Sequence, residues 1–210
     1  MTHPALARGG LYAVTNGPRN DLVANVAAAL DGGASMVQYR DKTRDKGRRL
    51  EEARAVQALC RQHQVPLIIN DDVALAVAVG AAGVHLGEND AAPLEARQAL
   101  GATAIIGVSC YDNIERARML ADRGADYLAF GAFFASPTKP LARHASLSLL
   151  QQAHALKLPL VAIGGITADN GGPLVAAGAR FLAVISAVFD APDVRQAARQ
   201  LTHLFPTDPP

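Results

Sequence analysis

Four times the chain repeats one punctuation mark: Gly32-Gly33-Ala34, Gly80-Ala81-Ala82-Gly83, Gly124-Ala125-Asp126 and Gly178-Ala179-Arg180. Each stands where a helical pattern stops just before a short apolar run, because glycine tolerates the left-handed helix end. The apolar runs predict strands at 11–15, 36–40, 66–70, 83–87, 105–109, 126–131, 159–163 and 181–185. Helical patterns follow them at 21–30, 48–64, 73–79, 93–100, 112–122, 146–156, 174–177 and 194–204, the fifth of these opening on Asp112 with Glu115 as a cap. Alternation of this kind implies a parallel sheet. Eight units in 210 residues with no break in composition imply one α/β domain over 1–210, a single (β/α)8 TIM barrel, with 1–9 and 206–210 as loose termini. The alternative is an open doubly wound sheet, but no Gly-x-Gly-x-x-Gly turn follows the first strand.

The composition suits that reading. Hydrophobic residues make up 50% of the chain and aromatics only 5%, so aliphatic side chains must fill the interior. A net charge of +1 provides no global field for nucleic acid or an anionic membrane, so any anion must be held by local placement. Cys60 and Cys110 belong to no ligand cluster or Cys-x-x-Cys pair and are expected as reduced thiols. No signal-peptide pattern opens the chain, and its apolar runs are too short to span a bilayer. A soluble cytoplasmic protein is expected, and a homo-oligomer is left open.

In a parallel barrel the chemistry lies at the C-terminal ends of the strands, so the list of strand ends is a functional reading. The second strand ends Gln38-Tyr39-Arg40-Asp41-Lys42, and Gln38, Arg40 and Lys42 share one face of an extended backbone. An amide and two cations pointing one way make an anion seat; the alternative is a solvated strand end. Asp71 and Asp90 are the candidate metal pair, suited to Mg2+, which takes one or two carboxylates and fills its sphere with phosphate oxygens and water. The alternative is that Asp71, Asp72 and Asp90 cap the helices after them. Gly164-Gly165 with Ile185-Ser186 form a candidate phosphate seat in the last two loops. Ser136, Thr138 and Lys139, with Pro137 and Pro140 limiting the loop's freedom, suit a lid over phosphates; the alternative is an ordinary Pro-rich surface loop. Asn70 and Ser109 complete the strand ends, and His85, mid-strand among apolar neighbours, reads as a hydrogen-bonded core histidine.

Taken in order, these segments resemble the thiamine-phosphate synthase family. The resemblance rests on Gln38-Tyr39-Arg40-Asp41-Lys42, Ile68-Ile69-Asn70-Asp71, Gly83-Val84-His85-Leu86-Gly87 leading to Asp90, Gly107-Val108-Ser109, Thr138-Lys139-Pro140, Ala162-Ile163-Gly164-Gly165-Ile166 and Val184-Ile185-Ser186-Ala187. It implies that Gln38, Arg40, Lys42 and Asn70 hold hydroxymethylpyrimidine diphosphate and that Asp71 and Asp90 bind Mg2+. It further implies that Ser109 bonds near the reacting pyrimidine and that Lys139 grips the leaving pyrophosphate. Ser136, Thr138, Gly165, Ile185 and Ser186 are implied to hold thiazole phosphate or its carboxylate. Two positions depart from the family pattern: Glu88 stands where Gln is common, and Tyr111 where a His often follows the serine. A thiazole tautomerase paralogue shares the barrel and is similar except for a His at that second place.

Overall fold

The computed structural model describes residues 3–135 and 144–206. Eight parallel strands close into a barrel in sequence order: β1 (Gly10–Val14), β2 (Met36–Tyr39), β3 (Leu67–Asn70), β4 (Gly83–Leu86), β5 (Ile105–Tyr111), β6 (Tyr127–Gly131), β7 (Leu160–Ile163) and β8 (Phe181–Val184). β8 returns to pair with β1, so no edge is left. The TIM barrel expected from the alternation is therefore the fold, and the open sheet is excluded.

The helices are α1 (Pro4–Ala7), α2 (Leu22–Asp31), α3 (Lys46–Gln62), α4 (Val73–Val79), α5 (Pro93–Leu100), α6 (Ile114–Asp122), α7 (Leu147–Ala153), α8 (Gly172–Ala176), α9 (Ser186–Phe189) and α10 (Val194–Thr202). None among the described residues is long and apolar enough to cross a membrane. Local chemistry sets several starts: the carboxylates of Asp45, Asp72 and Asp193 accept from amides in the first turns of α3, α4 and α10. The cap of α6 is Asn113, not Asp112: the Asn113 side chain accepts from the Arg116 amide.

Alternate residues of each strand face opposite sides. Val37, Tyr39, Ile69, Val108, Leu128, Ala162 and Leu182 pack outward under the helices in the larger core. Tyr12, Val14, Met36, Ile68, Ile105, Tyr127, Val161 and Phe181 point inward and form a second core inside the barrel. The N-terminal segment, expected to be loose, contributes to this inner core: α1 places Leu6 there, fully buried. Ala5 packs beside it, and the His3 side chain accepts from the Ala5 amide at 3.2 Å, so the segment is tied down by more than one contact.

Candidate active site

The inward positions nearest the strands' C-terminal ends line a cavity of about 470 Å³. Gln38, Arg40, Lys42, Asn70, Asp71, Asp90 and Ser109 all face it, so one rim gathers side chains from four strand ends. Gly164 and Ile185 also line it, whereas Gly165 and Ser186, each the next residue in the chain, are not part of its lining. At Gly165, φ is +63° and a side chain would meet Ala135 O and Phe134, so the loops after β6 and β7 touch here through bare backbone. Ser186 opens α9. Ser136, Thr138 and Lys139 lie outside the described residues.

The strand-two end alternates in role. Gln38, Arg40 and Lys42 face the cavity, while Tyr39 and Asp41 face α3. Thr15 pins the Arg40 backbone, its hydroxyl accepting from the amide at 2.8 Å and donating to the carbonyl at 3.2 Å. The fully buried Asp41 carboxylate accepts from the Thr43 amide and from Arg48, each at 2.7 Å. Arg48 also donates to Glu52 at 2.9 Å, and the Tyr39 hydroxyl donates to Glu52 at 2.7 Å. This buttress fixes the loop between two cavity-facing cations.

Burial alone would push the Asp41 carboxyl up, but Thr43 and Arg48 outweigh it and hold it below the usual range. A depressed carboxyl pKa stabilises the fold above the ordinary value and loses that contribution as pH falls through the lowered one. Asp41→Asn is therefore expected to cost about 2 kcal/mol at neutral pH, since Arg48 keeps Glu52 as a partner. The gap from the parent narrows below about pH 4. Urea midpoints at both pH values check this.

The Asp71 and Asp90 carboxyl groups lie close enough to interact, and neither caps a helix. Asp71 sits at φ +62°, held by its amide donating to His85 O at 2.8 Å. The Asn70 side-chain amide donates to Asp71 Oδ2 at 2.6 Å. Asp90 accepts from the Gly87 amide at 2.6 Å, while Ala92 stands at the start of α5. Burial, then the Asp90 hydrogen bond and charge, push the Asp71 carboxyl up to about 6, against Lys42 and Asn70. Burial lowers the Arg40 guanidinium, and the Asp71 charge opposes that shift. Two cations and two contacting carboxylates thus share one half-buried volume, where charges act more strongly than in water.

His85 is hydrogen-bonded at both ring nitrogens, to Tyr127 Oη and Ser109 Oγ, each at 2.9 Å. Arg116 ties two strand ends together, donating to Ser109 O at 2.8 Å and Gly87 O at 3.2 Å. It also lies 5.9 Å from the centre of the Tyr111 ring, which faces the cavity. The roles of Tyr12, Tyr127, Arg48 and Arg116 escape a reading confined to strand ends. Period-two parity could have found Tyr12, which shares its face with Val14 at the mouth.

The family model for thiamine monophosphate synthase matches residues 11–188. The thiamine-phosphate synthase of Thiobacillus denitrificans is 52% identical over 204 residues, covering 96% of this chain and 97% of the relative. That of Halorhodospira halophila is 55% identical over 193 residues, covering 91% and 92%. Among solved structures, thiamine phosphate pyrophosphorylase from Pyrococcus furiosus superposes with a TM-score of 0.85 at 34% identity, covering 95% of this chain and 96% of that one. With the family's model spanning nearly the whole barrel and half the residues shared with its curated members, the chain belongs to the thiamine monophosphate synthase family and is a transferase enzyme.

Proposed function

We propose that the enzyme joins hydroxymethylpyrimidine diphosphate to thiazole phosphate, or its carboxylate, giving thiamine phosphate and pyrophosphate. The observation that carries this reading is the gathering of Arg40, Lys42, Asp71 and Asp90 on one cavity at the C-terminal mouth. The C–O bond to the diphosphate breaks with its electron pair leaving on pyrophosphate, and the thiazole nitrogen lone pair forms the new C–N bond to the pyrimidine methylene. The developing cation is spread into the electron-rich ring and its amino group, so no side-chain nucleophile is needed.

What the protein must supply is positioning and neutralisation of a departing polyanion. At about 4 Å and an effective dielectric near 20, each cation gains about 4 kcal/mol against a unit charge. Arg40 and Lys42 take that role from the second strand end, and Lys139 from the loop after β6. Gln38, Asn70 and Ser109 orient the pyrimidine diphosphate. Gly165, Ile185 and Ser186, with Ser136 and Thr138, hold the thiazole phosphate.

The donor set fits Mg2+. Burial and then the neighbouring Asp90 raise the Asp71 carboxyl, and a hard cation held between the two would favour both ionised forms. Among the described residues no group of three or more His, Cys, Asp or Glu side chains gathers to hold a metal ion, so Asp71 and Asp90 would hold it as a pair, with substrate oxygens and water as the other ligands. When bound by Asp71 and Asp90, Mg2+ supplies further neutralisation of the diphosphate. The buried thiols of Cys60 and Cys110 suit a reducing compartment, and we place the reaction in the cytoplasm.

The test is direct. Purified enzyme with both substrates and Mg2+ is expected to release one pyrophosphate per thiamine phosphate formed. Omitting the pyrimidine diphosphate is expected to stop all conversion of the thiazole. Turnover of the thiazole alone would instead assign an isomerase, and saturable binding of both substrates without product a non-catalytic module.

A further inference from the structure

Beneath the cavity, five side chains from five strands form one unbroken hydrogen-bonded run. Gln38 Nε2 donates to Tyr12 Oη at 2.7 Å, and Tyr12 Oη lies 2.9 Å from Tyr127 Oη. Tyr127 Oη lies 2.9 Å from His85 Nδ1, and His85 Nε2 lies 2.9 Å from Ser109 Oγ. Packing holds the rings as firmly as the bonds do. Tyr12 meets Tyr127 edge-on at 6.0 Å between centroids, and His85 stacks on Tyr127 at 5.6 Å. Gln38, Tyr12, His85 and Ser109 all reach the cavity, whereas Tyr127 is fully buried and connects them from behind.

A run of this kind has a direction, and one end sets it. The Gln38 amide nitrogen can only donate, so the Tyr12 oxygen accepts and passes its own proton toward Tyr127. Tyr127 in turn donates to His85 Nδ1, which places the imidazole proton on Nε2 and aims it at Ser109 Oγ. Burial keeps both phenols protonated, so neither drops out as a donor. The cavity then sees Gln38 Oε1 as an acceptor and the Ser109 hydroxyl as a donor. To reverse either end, the amide, both phenols, the histidine tautomer and the serine hydroxyl must all turn over together.

We propose that Tyr12, Tyr127 and His85 are positioning residues that lock these two ring contacts in opposite polarity, so that the seat selects an amino-substituted pyrimidine over its oxo counterpart. An aminopyrimidine offers an N–H donor and a ring-nitrogen lone pair, which match Gln38 Oε1 and the Ser109 hydroxyl. The oxo ring offers a carbonyl and a ring N–H, which meet like with like at both ends. A site whose buried groups are left unpaired rejects an analogue far more strongly than an apolar pocket can. The inference rests on the proposed placement of the pyrimidine diphosphate against Gln38 and Ser109.

Nitrogen-15 spectra of the His85 ring in the intact, substrate-free enzyme test the direction without any turnover. The Nε2–H tautomer is expected. In Gln38→Glu, whose carboxylate can only accept from Tyr12, the Nδ1–H tautomer is expected. Tyr127→Phe cuts the run without touching either end. It is expected to lower the amino-over-oxo ratio of kcat/KM by at least about tenfold, with the KM for thiazole phosphate held within about twofold. Tyr12→Phe serves the same purpose should Tyr127→Phe not fold. The same tautomer in the parent and Gln38→Glu, or an unchanged ratio in a folded relay variant, overturns the relay. Gln38→Ala separates the two levels. A raised KM for the pyrimidine diphosphate with an unchanged relay ratio sinks the relay alone, whereas an unchanged KM removes the seat on which it depends.

Discussion

Asp71→Asn is expected to lower kcat by about 10³-fold, because the proposed Mg2+ that neutralises the departing pyrophosphate loses one of its two carboxylate ligands. The same substitution is expected to raise the melting temperature of the protein in chelator. The two effects have opposite signs because they draw on the same repulsion. Asp71 is held half-buried against Asp90 by the Asn70 amide and by its own amide on His85 O. Burial first, and then the neighbouring Asp90, disfavour the ionised form and push the Asp71 carboxyl up to about 6, so the charged pair without a cation destabilises the fold. For a raised carboxyl pKa, the associated stability is complete below the ordinary value near 4 and is lost as pH rises through about 6. The stabilising effect of Asn therefore shows at pH 7.5 and disappears at about pH 4. The backbone does not confound the comparison, since φ at this position is +62° and asparagine tolerates the left-handed region at least as well as aspartate. Steady-state pyrophosphate release and melting curves at the two pH values decide it. An unchanged kcat would remove Asp71 from the site, and a lower melting temperature at neutral pH would deny the repulsion.

What could be read from the residues alone divides along physical lines. The barrel was legible because its cues are local: a glycine ends a helix by its own backbone freedom, and eight such units leave few topologies. The mouth was legible because polar residues at strand ends contradict core packing, so Gln38, Arg40, Asn70 and Asp71 stand out against Met36, Ile68 and Ile69. The supporting layer was not, because its evidence is non-local. Tyr12 and Tyr127 look like ordinary core aromatics when both faces of every strand are apolar, and only the closed barrel brings their hydroxyls together. Asp41 sits between two site cations in sequence yet turns the other way to meet Arg48, seven residues on. Leu6 gave no periodic signal at all, since a single side chain has no period. Neighbouring cap candidates such as Asp112 and Asn113 are chemically near-equivalent, and the φ and ψ of the chain decide between them.

That dependence of the site on inner packing makes Gly107→Ala a strongly disruptive substitution despite its small size. Gly107 pairs with His85 on one side and Tyr127 on the other, and its empty face is filled by the Tyr127 ring. A Cβ there would overlap Tyr127 at Cζ and Oη. The ring has nowhere to go, because Tyr12 meets its face or edge, His85 stacks on it and its hydroxyl is bonded at both neighbours. Overpacking a rigid interior of this kind is expected to cost about 3 kcal/mol. For a domain of this size that lowers the melting temperature by about 6–12 °C. If the clash with Tyr127 is the cause, shrinking that ring must relieve it. Gly107→Ala combined with Tyr127→Val is expected to be less destabilised than the sum of the single variants by about 2 kcal/mol, a coupling far larger than independent sites show. Strict additivity would mean that the ring moves aside freely. Tyr127 would then be too loosely held to fix the orientation of His85, and Ser109 beside it would lose its rigid support.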